Sequence, residues 1–197
     1  MQTPDSRKDF WDNRYQNEQT GWDLGMPSPP LKAYFDQLKQ KDIRILMPGA
    51  GNAHEAAYLF QQGFEQVHVL DISPLPLAAF AERFPNFPKE QLIEGDFFKH
   101  EGQYDLIVEQ TFFCTFHPVA ENRALYAQKA ASLLKPGGKL VGLWFDFVLT
   151  SSGPPFGGSK AEYLPYFEPH FDILSFDRAN NSVASRQGSE LFGIMRR

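Results

Sequence analysis

The chain has little of several features that would narrow its function at once. Cys114 is the single cysteine among 197 residues, so no disulfide can form within the chain. No segment approaches the roughly 18 consecutive apolar residues of a membrane span. The first residues, Met1–Asp5, lack the apolar stretch of a secretory leader. We therefore expect a cytoplasmic protein that does not enter a membrane.

Positive charge is also scarce. Lys and Arg number 19 against 24 Asp and Glu, which gives a net charge of −5, and no basic run occurs. Proteins that bind nucleic acid need clustered positive charge, so we expect no nucleic-acid partner. The five histidines show no paired ligand spacing, so we expect no metal site.

What the chain does contain is typical of one globular domain spanning residues 1–197. Hydrophobic residues make up 42% and charged residues 22%, and the 19 Phe indicate an aromatic-rich core. From residue 43 onward, strand patterns alternate with helical patterns, which predicts a parallel α/β sheet. Two helices, at about 6–17 and 31–39, precede this region. The later strands are predicted at 66–71, 91–93, 104–109, 139–147, 171–176 and 190–195, the last two as a hairpin-like pair.

The centre of the pattern is a glycine turn after the first strand, Gly49-Ala50-Gly51. Asp71 ends the second strand and follows Gly51 by 20 positions. This is about the spacing at which a nucleotide-binding turn is followed by an acid that binds ribose hydroxyls. The alternative role for Asp71 is to cap the next helix, but Ser73 is the better cap, so we favour ribose binding.

The position of the third glycine in the dinucleotide fingerprint is occupied by His54. That glycine lets the helix and strand pack closely beneath a pyrophosphate, so its absence argues against NAD and FAD. A cofactor without a pyrophosphate, such as S-adenosylmethionine, fits better. Asp96, after the third strand, could accept a hydrogen bond from an adenine amino group, with Phe97 or Phe98 against the ring. Its alternative role is that of a solvated turn residue.

Six short segments stand in one order along the chain. They are Trp11-x3-Tyr15-x6-Trp22-Asp23-x-Gly25, Pro48-Gly49-Ala50-Gly51, Leu70-Asp71-Ile72-Ser73, Gly95-Asp96-Phe97-Phe98, Phe112-Phe113-Cys114 and Leu133-Leu134-Lys135-Pro136-Gly137-Gly138. Together they resemble the thiopurine S-methyltransferase family, and most of all its branch of thiol, thiocyanate and halide methyltransferases. The likeness covers nearly the whole chain and includes Gly153-Pro154-Pro155-Phe156.

The resemblance implies an α/β fold of the Rossmann-like class I methyltransferase type, with a seven-stranded, mostly parallel sheet and helices on both faces. It divides the domain into N-terminal helices and a lid over the cofactor (1–40), a cofactor-binding core (41–150), and an acceptor-side loop with the last strands (151–197). The implied cofactor is S-adenosylmethionine. The implied cofactor-binding residues are Trp11, Tyr15, Trp22, Gly49, Gly51, Asp71, Asp96, Phe97 and Gln110.

Gln110 departs from the family pattern. Thiopurine-methylating members carry arginine there, and halide and thiocyanate members tend to have tyrosine. We expect methyl transfer to a small soft nucleophile, with sulfur favoured, in an enzyme that is a monomer and whose catalytic residues the sequence does not name. The alternatives are a catalytically silent cofactor-binding protein, which Gln110 motivates, and a nucleotide-dependent oxidoreductase.

A few other residues have two interpretations each. Cys114 is a nucleophile only if a base lies near it, and a buried thiol is favoured. Phe112, Phe113, Phe116 and Phe156 could line an apolar acceptor pocket or belong to the core. Arg186 could attract an anionic acceptor or lie exposed on the surface.

Overall fold

The computed structural model describes the backbone of residues 4–197 and the side chains from residue 7 onward; residues 1–3 of the predicted N-terminal segment lie outside it. The helices are α1 (Pro4–Gln16), α2 (Pro29–Phe35), α3 (His54–Gln61), α4 (Pro74–Arg83), α5 (Ala120–Leu133) and α6 (Lys160–Phe167). The strands are β1 (Ile45–Pro48), β2 (Val67–Asp71), β3 (Leu92–Glu94), β4 (Tyr104–Gln110), β5 (Leu134–Phe145), β6 (Asp172–Arg178) and β7 (Glu190–Arg196).

The strands form one sheet in the order β3-β2-β1-β4-β5-β7-β6. The five strands from β3 to β5 are parallel to one another, and β7 runs antiparallel to both of its neighbours. The predicted seven-stranded, mostly parallel sheet is therefore confirmed. The strand order reverses between β1 and β4, so the carboxyl ends of these two strands open a crevice where sheets of this kind bind ligands.

Helices cover both faces of the sheet, as predicted. On one face, α2, α3 and α4 pack through residues such as Leu31, Ala56 and Phe80. On the other, α5 and α6 pack through residues such as Tyr126 and Phe167. Along β1 and β4, successive side chains alternate between the two clusters, as the two-residue period of a strand requires.

Most predicted elements lie within two or three residues of the observed ones, and two differ by more. The second helix ends at Phe35, where the prediction ran to residue 39; Pro29 and Pro30 occupy its first positions. The fifth strand begins at Leu134, where the prediction began at 139, because Leu134 already pairs with Tyr104 before an irregularity in the ladder. Among the described residues, no helix is long and apolar enough to cross a membrane.

Candidate functional site

The glycine turn stands at the mouth of the crevice and adopts a backbone that only glycine takes without strain. Gly49 has φ +58° and Gly51 has φ +53°. A Cβ on Gly49 would lie 2.1 Å from Cδ2 of Phe112, and one on Gly51 would lie 3.0 Å from the Tyr15 hydroxyl. Glycine is therefore required at both positions, because neighbouring side chains lie directly against the turn.

Asp71 ends β2 beside this turn and is buried. Its Oδ2 accepts the backbone N–H of Gly51 at 2.9 Å, and its Oδ1 accepts that of Ser73 at 2.9 Å. Ser73, not Asp71, caps α4, since its Oγ accepts the N–H of Leu75. Burial raises the pKa of Asp71 to about 6, against the opposing effect of these hydrogen bonds. Each carboxylate oxygen keeps acceptor capacity, so Asp71 can still receive two hydroxyl donors.

Helix α1 lies across the crevice and is fixed there by polar contacts. Arg7 Nη2 donates to Oδ2 of Asp96 at 2.8 Å, and Ser73 Oγ donates to Oδ1 of Asp12 at 2.5 Å. Asp96 Oδ1 also accepts the N–H of Phe98 at 3.1 Å. Asp96 is therefore not a freely solvated turn residue; it binds the N-terminal helix to the loop after β3.

Three aromatic side chains of the N-terminal region form one cluster over the glycine turn. The ring of Trp22 meets that of Trp11 edge-on at 5.3 Å and that of Tyr15 edge-on at 5.7 Å. Burial raises the pKa of Tyr15 far above its usual value, so its hydroxyl stays neutral. The cluster presents the neutral Tyr15 hydroxyl and the Trp22 Nε1 to the turn, since these atoms would lie 3.0 Å and 3.6 Å from a Cβ on Gly51.

The loop that carries Trp22 is bound to the glycine turn and to the start of α3. Asp23 accepts hydrogen bonds from Asn52 and from Nε2 of His54, the latter at 2.7 Å. Burial favours a higher pKa for Asp23, but hydrogen bonds from Gly25, Asn52 and His54 outweigh it and lower the pKa. His54, the residue in place of the third glycine, thus anchors this loop.

Arg186 holds the same loop from the other end of the chain. Its Nη2 donates to the carbonyl oxygen of Trp22 at 2.6 Å, and its Nη1 lies 3.3 Å from Oε1 of Glu190. Arg186 is 8% exposed. The interpretation of Arg186 as an exposed surface residue was therefore wrong.

Gln110, at the end of β4, faces a buried acid on α3. With its nitrogen turned towards the carboxylate, the Gln110 amide donates to Oε1 of Glu55 at 2.6 Å and to Oε2 at 3.1 Å. Glu55 Oε1 also accepts the N–H of Ser28 at 2.8 Å. Burial raises the pKa of Glu55, more strongly than its hydrogen bonds lower it.

Two cavities open at this edge of the sheet. The larger, of about 860 Å³, is lined by seven of the nine residues predicted from the sequence, which are Trp11, Tyr15, Trp22, Gly49, Asp71, Asp96 and Phe97. The remaining two, Gly51 and Gln110, line a smaller pocket of about 50 Å³, to which Trp22 and Gly49 also contribute. The structure thus brings all nine residues to the two cavities that meet at Gly49.

The large cavity continues past the glycine turn towards α5, where its wall combines aromatic side chains with polar side chains of α5 such as Asn122, Gln128 and Ser132. Phe112, Phe116 and Phe156 line it, whereas Phe113 is core and 1% exposed. Cys114 is buried, and burial raises the pKa of its thiol well above the usual range. In the described part of the chain, no group of three or more His, Cys, Asp or Glu side chains could hold a metal ion.

Four residues near the site were not predicted from the sequence: Arg7, Asp12, Glu55 and Glu109. Each contacts a residue far away in the chain, so no local spacing identifies it. Glu109 is the last acid of β4, and its partner Tyr126 on α5 follows only from tertiary packing. It is 0% exposed and accepts three hydrogen bonds.

The model of the family described as thiopurine S-methyltransferase matches residues 6–195. A probable thiol methyltransferase 2 of Arabidopsis thaliana is 32% identical over 189 residues, covering 93% of this chain and 82% of that protein. Thiocyanate methyltransferase 1 of Brassica oleracea is 30% identical over 190 residues, with the same coverage.

Among solved structures, the 1,6-didemethyltoxoflavin-N1-methyltransferase of Burkholderia thailandensis, with bound S-adenosylhomocysteine, superposes with a TM-score of 0.76. It is 17% identical and covers 100% of this chain and 91% of its own. At this identity the superposition establishes the fold, which is that of a class I methyltransferase.

Proposed function

Because the chain belongs to the thiopurine S-methyltransferase family, we propose that it transfers a methyl group to a small sulfur nucleophile. Membership makes it an S-adenosylmethionine-dependent methyltransferase and excludes the oxidoreductase alternative. The relatives named above are thiol and thiocyanate methyltransferases, which favours sulfur as the acceptor atom.

The residues at the crevice fit this cofactor. We propose that the ribose hydroxyls donate to Asp71, which retains acceptor capacity on both oxygens. Asp96 and Phe97 would receive the adenine, and Gly49, Gly51 and Gln110 would receive the methionine part. The large cavity, about 860 Å³, lies within the range of small-molecule sites.

S-adenosylmethionine, when bound, supplies an activated methyl group on a sulfonium cation. Trp11, Tyr15 and Trp22 can attract such a cation through their ring faces, by about 0.5–2 kcal/mol. Their contacts with one another and with the glycine turn support a second role, that of a lid which keeps water out. Orientation of the two reactants in a closed site can contribute roughly 7–11 kcal/mol.

The charge distribution of the cavity supports an anionic acceptor. Among the described residues that line it, the carboxylates are Asp71, which ends β2, and Asp96, which follows β3. The cavity's Lys and Arg lining residues are Arg7, which is paired with Asp96, together with Lys99 and Lys129. A free thiol has a pKa near 8.5 and is about a few per cent thiolate at neutral pH, so a thiol acceptor needs no strong base.

The observation that carries this proposal is that the described lining of the large cavity includes Lys99 and Lys129 and, apart from Asp71 and Asp96, no carboxylate, which suits an anionic sulfur acceptor. The test is a methylation assay with a panel of thiols, hydrosulfide, thiocyanate and iodide, read by the methylated product and by S-adenosylhomocysteine. We expect a methyl thioether from at least one thiol, with equimolar S-adenosylhomocysteine. Product from iodide alone would contradict the sulfur assignment, and no product from any acceptor would favour the silent binding protein.

We also propose that the enzyme acts in the cytoplasm as a monomer, on a small molecule and without nucleic acid. The net charge of −5 without a basic run supports the absence of a nucleic-acid partner, and the single cysteine fits a reducing compartment. Sedimentation velocity measures the oligomeric state; a dimer at micromolar concentration would contradict it.

A further inference from the structure

Glu109 is a fully buried carboxylate that none of the proposed roles uses. It precedes Gln110 in β4 and faces α5, whereas Gln110 faces α3. Its Oε1 accepts the backbone N–H groups of Phe112 and Phe113, both at 2.9 Å, and its Oε2 accepts the hydroxyl of Tyr126 at 2.6 Å. One side chain therefore holds the turn that follows β4 and joins it to α5.

The turn that Glu109 holds is strained at Thr111. Thr111 has φ +54°, and the other non-glycine residues with positive φ in the described part of the chain are Glu18 and Ala53. A β-branched side chain is disfavoured in this region of backbone space. Such a conformation persists only where the surroundings determine it. Here the two amides after Thr111 are bound by Glu109, and Thr115 binds the carbonyl of Phe112 through its N–H and its hydroxyl.

The strained turn aims the Phe112 ring at the site. The ring lies so close to Gly49 that a Cβ there would be 2.1 Å from its Cδ2. On its other side, the ring meets that of Phe97 edge-on at 5.4 Å. Phe112 therefore stands in the cavity wall between the glycine turn and the residue proposed to receive adenine.

We propose that Glu109 is a positioning residue, which fixes the Thr111–Phe112 turn and thereby sets where the Phe112 ring stands in the cavity wall. Glu109 itself does not line either cavity; it acts through Phe112. The inference rests on the proposed function in one respect, that the cofactor lies in the large cavity against this wall.

A role in stability alone would involve the same contacts of Glu109, because a buried acid that joins β4 to α5 also stabilises the fold. The two roles differ in their coupling to Phe112. If Glu109 acts through the ring, its replacement has no further effect on cofactor affinity once the ring is gone. If Glu109 only stabilises the fold, its replacement either leaves the Kd unchanged or changes it by the same factor with and without the Phe112 ring.

The experiment measures the Kd of S-adenosylhomocysteine by isothermal titration for Glu109→Leu, Glu109→Gln, Phe112→Ala and the double variants. Leu removes the acceptor, so we expect about tenfold weaker binding, within the range that a misplaced group costs. Gln keeps a carbonyl oxygen for both amides, so its Kd stays within about twofold of the wild type. In the Phe112→Ala background, Glu109→Leu should change the Kd by less than about twofold.

Asp105→Asn is the matched control. Asp105 is an acid of the same strand, at its opposite end, where it binds the N–H of Arg44 and the Lys135 ammonium. Its replacement should lower the melting temperature and leave the Kd unchanged. Multiplicative losses for Glu109→Leu and Phe112→Ala, or an unchanged Kd for Glu109→Leu, would overturn the proposal.

Hydrogen exchange on the wild-type protein gives a second measurement that needs no variant. The amides of Phe112 and Phe113 should exchange as slowly as those of the core strands. Fast exchange of both would overturn the proposal even if Glu109→Leu did not fold. A wild-type protein that fails to bind S-adenosylhomocysteine would instead contradict the proposed site of the cofactor, so the two failures are distinguishable.

Discussion

Replacement of Asp71 by Asn should weaken cofactor binding without changing the stability of the fold. We propose that the Asp71 carboxylate accepts hydrogen bonds from the ribose hydroxyls, and bonds to a charged acceptor contribute about 1.5–3 kcal/mol each. Loss of the charge should therefore weaken S-adenosylhomocysteine binding by about 10- to 100-fold. The fold itself should remain about as stable as in the wild type.

The prediction for stability follows from two opposing effects. Burial raises the pKa of Asp71 from 3.8 to about 6, which costs the folded state about 3 kcal/mol when the carboxylate is ionised at neutral pH. Asn removes this cost. Asn has one carbonyl oxygen, however, so either Gly51 or Ser73 loses its acceptor, at a cost of about 1–3 kcal/mol. The two effects nearly cancel.

The assay pairs isothermal titration of S-adenosylhomocysteine with thermal unfolding of the same samples at pH 7.5. Asp172→Asn is the control, because Asp172 is an exposed acid paired with Arg196 on the edge strand. It should change neither quantity. An affinity of Asp71→Asn within about threefold of the wild type would refute the ribose assignment and leave Asp71 as an acceptor for the two backbone amides alone.

Three further predictions concern the same edge of the sheet. Affinity for S-adenosylhomocysteine should fall as pH is lowered through about 6, by up to about tenfold per pH unit, because the Asp71 carboxylate of the free protein takes up a proton there. Isothermal titrations from pH 5 to 8 measure this change, and the affinity of Asp71→Asn should not vary with pH over the same range. Gly49→Ala should weaken binding more than about tenfold, because its Cβ meets Phe112 at 2.1 Å. Gly63→Ala shares the positive φ but has nothing within 4 Å, so it should affect stability alone; equal Kd changes in both variants would contradict the steric argument. His54→Ala should remove the bond between α3 and Asp23 of the loop between α1 and α2. We expect faster limited proteolysis of this loop and an unchanged far-UV circular dichroism spectrum; an unchanged proteolysis rate would mean that Asn52 and Arg186 hold the loop without His54.

Much of the proposed cofactor site follows from local patterns. Gly49, Gly51 and Asp71 were predicted because a glycine turn and an acid at a strand end are local features, and the alternation of strands and helices brings them to one edge. The prediction for Ser73 as the cap of α4 is also confirmed.

The contacts that fix the site could not be predicted in the same way. The pairs Arg7–Asp96 and Glu55–Gln110 join elements distant in sequence, and their geometry depends on how the helices pack. Arg186 has two plausible environments in sequence, and only tertiary packing against the Trp22 loop decides between them. The start of β5 differs from the prediction for a similar reason, because Leu134 pairs with Tyr104 on the neighbouring strand.

The bond from Arg186 to the Trp22 carbonyl has a consequence for the order in which the molecule is completed. The two residues are 164 positions apart, and a ribosome adds about 5–20 residues per second, so Trp22 leaves it roughly 8–33 s before its partner. During that interval the loop that carries Trp22 lacks the hydrogen bond that Arg186 later donates to it. Until Arg186 has been added, the described side chains that bind this loop from α3 and the glycine turn are His54 and Asn52, both through Asp23.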